Sequence, residues 1–151
     1  MSPEPKKRVL FVCIGNSCRS QMAEAFARMY GSDCMTPASA GVAPARSIAR
    51  DTARAMAAKH IEMEGQFPKA LKYLGRAQFD LVINMTGSFL KEPIATAHVV
   101  DWDIPDPIGM DYADHCAIRD SIERRVMTLI LELRKPAAPK FKGQGSGRLP
   151  L

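Results

Sequence analysis

Residues Val9-Leu10-Phe11-Val12 run directly into Cys13-Ile14-Gly15-Asn16-Ser17-Cys18-Arg19-Ser20, and apolar positions at helical spacing begin near Gln21. A short apolar run bounded by Gly and Asn reads as a buried strand that ends in a tight loop. Gly15 and Asn16 tolerate the left-handed backbone that such a loop needs. Strand, loop and helix in that order commit the chain to an α/β sheet with a functional loop at a strand C-terminus. Successive N–H groups of such a turn point inward, and the helix N-terminus adds partial positive charge. Arg19 can grip two oxygens of a tetrahedral anion with its planar fork, and the same field favours Cys13 as its thiolate. The loop thus brings a nucleophile to an oxyanion of phosphorus or arsenic. A cysteine can also be a small buried hydrophobe; the flanking strand and helix, with Ser20 after the arginine, favour the chemical reading.

The rest of the chain alternates strand and helix. The first helix is expected from about Ser20 to Tyr30, with Met22, Phe26 and Met29 recurring and Gly31 as its stop. A second strand is expected from Met35 to Ala40, a second helix from Ile48 to Lys59, and strands at Phe79–Met85 and Ala97–Val100. Ile118, Ile122, Val126, Leu129, Ile130 and Leu133 make one apolar stripe that Pro136 closes, which predicts the last helix. The expectation is a single-domain three-layer sandwich with a four-stranded parallel sheet in the order 2-1-3-4.

A chain of 151 residues with 46% hydrophobic content can bury one core. No apolar run reaches the length of a membrane span and no signal-peptide pattern opens the chain, so the expected location is cytoplasmic. The net charge of +5 is uneven: residues 135–151 carry +4 and residues 1–8 carry +2, which leaves −1 for the remainder. Residues 1–8 read as a flexible arm, 9–134 as the folded domain and 135–151 as a basic, disordered tail. Neither nucleic acid nor membrane is expected as a partner. Four cysteines, at 13, 18, 34 and 116, have neither zinc spacing nor the density of a disulfide scaffold. Cys18 either traps oxidised Cys13 as a protective disulfide or packs under the loop; Cys34 and Cys116 read as structural.

Asp103-Ile104-Pro105-Asp106-Pro107 is the second chemical element. A thiolate that expels an alkoxide needs a proton donor, and Asp106, stiffened by Pro107, can supply it. Cys13 to Ser20 together with Asp106-Pro107 resembles the low-molecular-weight protein tyrosine phosphatase superfamily, over about Arg8 to Arg134. Gln21-Met22-Ala23-Glu24 and Ser39-Ala40-Gly41 look more like its arsenate reductase branch. The resemblance implies a P-loop after the first strand, Cys13 as nucleophile and Arg19 as oxyanion clamp. Asp106 would be acid then base, with Asp103 a lesser candidate; Ser20 would donate to the Cys13 thiolate, and Asn16 would hold the loop through its amide. Ile14, Gly15, Asn16, Ser17, Cys18 and Arg19 would line the oxyanion.

Asn16, Glu24 and Ser39 match positions that help hold potassium in some of the reductases, and Lys69 stands at the remaining acidic position, where a lysine can replace the cation. No metal and no cofactor is expected. The thioredoxin-coupled reductases need two further cysteines after the central strand, whereas Met85-Thr86-Gly87-Ser88-Phe89-Leu90-Lys91-Glu92-Pro93 has none. An internal relay would then need Cys18 and Cys116. The family phosphatases carry a tyrosine pair just after Asp-Pro; here Ile108 offers an apolar wall, Tyr112 is displaced, and Trp102 either stacks on substrate or belongs to the core.

The leading expectation is a thiol-based phosphomonoesterase, protein tyrosine phosphatase-like, acting through a phosphocysteine. The alternative is an arsenate reductase served by an external low-molecular-weight thiol or redoxin. A non-catalytic phosphate-sensing module is opposed by the intact set Cys13, Arg19, Ser20 and Asp106. The expected partners are a phosphate monoester, phosphotyrosine or arsenate, with a thiol reductant in the second case.

Overall fold

The computed structural model describes residues 5–90 and 98–136. Strand β1 (Lys7–Cys13) leads through the loop into helix α1 (Arg19–Gly31) and strand β2 (Met35–Gly41). Helix α2 (Arg50–Ala57), a 3-10 turn (Leu71–Leu74), strands β3 (Leu81–Asn84) and β4 (Val99–Asp101) and helix α3 (Tyr112–Arg134) complete the order. All strand pairs are parallel and the sheet order is β2-β1-β3-β4. Ala97, expected to open the last strand, lies outside the described residues.

β1 is central and buried from Val9 onward, which explains its unbroken apolar run. Its side chains alternate between two cores. Val9, Phe11 and Cys13 join the cluster of Met22, Phe26, Met56, Ile122, Val126 and Leu129 on the helical side. Leu10 and Val12 meet Ala40, Phe79 and Val82 on the other side, with Leu71 and Leu74 of the 3-10 turn against them. The layers are therefore helices, sheet, and a thinner cover of turn and connecting chain.

The stripe on α3 is as the sequence predicts: Ile122, Val126, Leu129 and Ile130 are fully buried, each worth about 1.5–3 kcal/mol relative to exposure. Asp111 caps its N-terminus by accepting from the Asp114 N–H at 2.9 Å. On α1 the inward face is Met22, Ala23, Phe26 and Ala27, while Met29 is exposed. Met29 shares the apolar spacing, but small alanines let α1 lie close to its neighbours and turn that position outward.

Register fixes where the chemistry sits. Cys13 pairs with Gly41 and Val12 with both Ala40 and Asn84, so the C-terminal ends of β1, β2 and β3 are level. The loop after β1 and the residues after β3 share that edge.

Candidate active site

The loop after β1 has its carbonyls turned outward and engaged. The Val42, Ala43, Ala45 and Ala49 N–H groups donate to the carbonyls of Cys13, Ile14, Gly15 and Ser17 at 2.8–3.2 Å. The Asn16 carbonyl accepts from Gln21 Nε2 at 3.0 Å, and the Cys18 carbonyl from the Met22 N–H at 2.9 Å. Among the described hydrogen bonds none takes an N–H of Ile14 through Cys18, so these donors are left for an anion. Asn16 supplies the left-handed residue the turn requires, with φ of 50°.

Gly41 makes this packing possible. A Cβ there would lie 2.7 Å from the Ile14 carbonyl oxygen and 2.9 Å from the Asn16 nitrogen, both rigid backbone. The expected result for Gly41→Ala is a loss of about 1–3 kcal/mol of stability, read as a lower Tm, together with weaker binding of phosphate. An unchanged Tm would show that the loop has slack. In the sequence Gly41 stands out only as a glycine at a strand end, a place where close backbone approach is common.

Behind the loop runs a buried polar chain. Asn16 Nδ2 donates to Ser20 Oγ at 2.7 Å, and Ser20 Oγ lies 2.8 Å from Cys13 Sγ. Accepting from Asn16 uses one of the serine's two lone pairs and leaves its single proton free for the sulfur. Asn16 Oδ1 accepts from Gln21 Nε2 and from the Lys69 N–H, each at 3.0 Å. Gln21 is fully buried, also donates to the Phe67 carbonyl at 2.9 Å, and its Oε1 accepts from Gln66 at 2.7 Å. Gln21 and Gln66 carry no signal as site residues in the sequence; they matter because they lock the Asn16 amide.

Lys69 Nζ donates to the Ser39 carbonyl at 3.3 Å, and Ser39 Oγ donates to Glu24 Oε1 at 2.5 Å. Glu24 also pairs with Arg28 at 2.6 Å. Burial pushes the Lys69 ammonium below its usual range, Glu24 opposes that, and Arg28 adds to it. The ammonium thus sits among Ser39 and Glu24, with its own backbone N–H on Asn16.

Arg19 is buried and bridges three segments. One terminal nitrogen donates to the Met85 carbonyl at 2.6 Å and the Ile104 carbonyl at 3.0 Å, while the other lies 3.4 Å from Asp106 Oδ2. Among the described residues its Nε has no hydrogen-bond partner. A buried donor without a partner costs about 1–3 kcal/mol, and an oxyanion in the loop would satisfy it. The Asp106 carboxylate is held from the other side, where Oδ1 accepts from the Ile108 N–H at 3.1 Å. Asp103 is exposed and has no ion pair among the described residues. The structure brings Cys13, Ser20, Arg19 and Asp106 together and leaves Asp103 outside.

Trp102 is a core residue, 2% exposed, with its ring 5.9 Å from Phe11. Tyr112 opens α3 with the Arg54 guanidinium 4.2 Å over its ring, so its face is taken. Ile14, Ile108 and Met110 are the exposed apolar groups of the loop and of the segment after Asp106. Cys18 is buried beside Thr52, whose Oγ1 lies 3.1 Å from His115 Nδ1. Burial pushes the Cys18 thiol up, with Thr52 and Ser17 partly opposing. Cys34 donates to the Gly31 carbonyl, and Cys116 is half-buried beside Tyr112.

A model of the family described as low molecular weight phosphotyrosine protein phosphatase matches residues 8–138. The chain belongs to that family. Within the low molecular weight phosphatase family, it is 32% identical over 131 residues to the glutaredoxin arsenate reductase of Synechocystis sp., covering 84% of this chain and 98% of the relative. The solved structure of an arsenate reductase in the phosphate binding state superposes with a TM-score of 0.75 at 30% identity, over 84% of this chain and 98% of that one. The YwlE arginine phosphatase from Geobacillus stearothermophilus follows at 0.72 and 28% identity, over 85% and 93%. Reductases and phosphatases of this family thus share one fold with this chain, whose four-stranded parallel sheet has the expected order. Among the described residues no helix is long and apolar enough to cross a membrane.

Proposed function

We propose that the chain reduces arsenate through Cys13 and that an external small thiol completes the reaction. The observation that carries this reading is a buried Cys13–Ser20–Asn16 chain beneath an arginine with an unsatisfied N–H, in a relative of arsenate reductases. Of the two readings open from the sequence, the relatives favour the reductase over the phosphatase.

The Cys13 thiolate attacks arsenic of bound arsenate; an As–O bond breaks and the oxygen leaves as water with a proton from Asp106. Arg19 and the loop N–H groups hold the remaining oxygens as charge builds. A small thiolate then attacks Cys13 Sγ: the S–S bond forms, and the S–As electron pair moves to arsenic, which leaves as arsenite. A second equivalent of the thiol attacks the mixed disulfide and frees Cys13. Two thiols are oxidised to one disulfide and arsenate is reduced to arsenite with release of water. An external thiol is favoured because residues 85–93 hold no cysteine and because burial pushes the Cys18 thiol up, away from the thiolate form an internal relay would use.

A second reading, phosphate monoester hydrolysis through a phosphocysteine, is supported by Asp106 beside Arg19 and by likeness to an arginine phosphatase. Phosphotyrosine selectivity loses support here, since Ile108 and Met110 are aliphatic and the Tyr112 face is covered by Arg54. The test runs arsenate with glutathione, mycothiol, thioredoxin and glutaredoxin systems beside p-nitrophenyl phosphate. Arsenite formation well above phosphate release is expected; phosphate release alone makes the second reading the right one. Under either reading Asp106→Asn should slow phenyl phosphate far more than p-nitrophenyl phosphate, by about 10²-fold or more for the poorer leaving group. Equal losses would remove Asp106 as the acid.

A further inference from the structure

We infer that the cavity between the start of α2 and the segment after Asp106 binds the external thiol, and that it selects thiols carrying carboxylates through Arg50. The inference rests on the reading that such a thiol resolves Cys13. The cavity is about 460 Å³ and is lined by Arg50, Asp51, Arg54 and His115 on one side and by Ile108 and Met110 on the other. That is far larger than an arsenate ion needs and is within the range of small organic ligands.

Both walls are tied to the groups that would react. The Ala49 N–H donates to the Ser17 carbonyl of the loop at 3.1 Å, and the Ile108 N–H donates to Asp106 at 3.1 Å. A ligand held between them is flanked by residues bonded to the loop and to Asp106. Exposed Ile108 and Met110 offer apolar surface to its carbon chain.

The charge of the lining is unbalanced. Arg54 is spent on Asp51 at 2.9 Å and on the Tyr112 ring at 4.2 Å, so Asp51 is neutralised. The Arg50 guanidinium has no hydrogen bond or ion pair among the described residues, and neither has that of Arg46 in the preceding turn. A planar guanidinium without a partner, at the edge of a mixed cavity, matches a carboxylate. Arsenate itself is not its target, because the loop and Arg19 already supply donors for that ion.

The test needs no arsenate. Reduced protein is mixed with glutathione disulfide, with the same disulfide esterified at its carboxylates, or with bis(2-hydroxyethyl) disulfide, and mixed-disulfide formation on Cys13 is timed by mass spectrometry. Glutathione disulfide should react fastest. Arg50→Ala should slow it about tenfold while leaving the esterified and hydroxyethyl reagents unchanged. Arg50→Lys should restore part of the rate, and Arg124→Ala, which removes a charge elsewhere, should change nothing. Equal rates for the acid and the ester, or a preference that survives Arg50→Ala, would overturn the inference. Failure to form arsenite would instead strike the reductase reading, which this experiment does not measure.

Discussion

Cys13→Ser is expected to abolish arsenate reduction and phosphate-ester hydrolysis alike, by at least about 10⁴-fold in kcat/KM. The sulfur at the base of the loop is buried and hydrogen-bonded to Ser20 Oγ at 2.8 Å. A serine there keeps that hydrogen bond and nearly the same volume, so stability should shift by no more than about 0.5–1 kcal/mol. It replaces a thiol nucleophile with a far weaker hydroxyl one. Cys18, the nearest thiol in sequence, has its proton held more tightly by burial. Turnover that survives the substitution with an unchanged Tm would place the chemistry elsewhere.

Arg19→Lys should cost about 10²–10³-fold in kcat/KM and should weaken inorganic phosphate as a competitive inhibitor by a similar factor. A lysine keeps the charge and loses the fork. The arginine holds the Met85 and Ile104 carbonyls with one nitrogen and Asp106 with the other, and its Nε has no partner among the described residues. An ammonium cannot meet two carbonyls, a carboxylate and an anion in that geometry. The carbonyls left buried would also lower stability, by about 1–3 kcal/mol. Phosphate affinity that stays at the wild-type value would show that the loop N–H groups bind the anion alone.

The parts of this site that the sequence displays are those whose chemistry is carried by side chains at short spacing. Cys13, Arg19 and Ser20 lie within eight residues, and the apolar runs around them dictate strand and helix. Asp106 is distant in sequence, but its pairing with Pro107 and its matching chemistry make it visible. What the sequence hides is long-range and backbone-borne. The Met85 and Ile104 carbonyls that orient Arg19 have no side-chain signature, and they reach it across 66 and 85 residues. Gln21 and Gln66 look like ordinary polar positions until folding buries one beside Asn16. Tyr112 reads as a displaced substrate contact, yet Arg54 from another helix has taken its face. Met29 fits the apolar spacing and still points outward, because alanines fill the inner face of α1. In each case a tertiary partner decides, and spacing alone does not name it.

The central claim, that Cys13 passes arsenic to an external thiol, is tested most directly by a single turnover. Reduced protein is mixed with excess arsenate and one equivalent of glutathione or mycothiol, quenched with acid, and assayed for arsenite and for the mass attached to Cys13. The expected result is one arsenite per protein with the thiol joined to Cys13 as a mixed disulfide. Absence of arsenite with every thiol, or arsenite accompanied by a Cys13–Cys18 disulfide and no adduct, would contradict it.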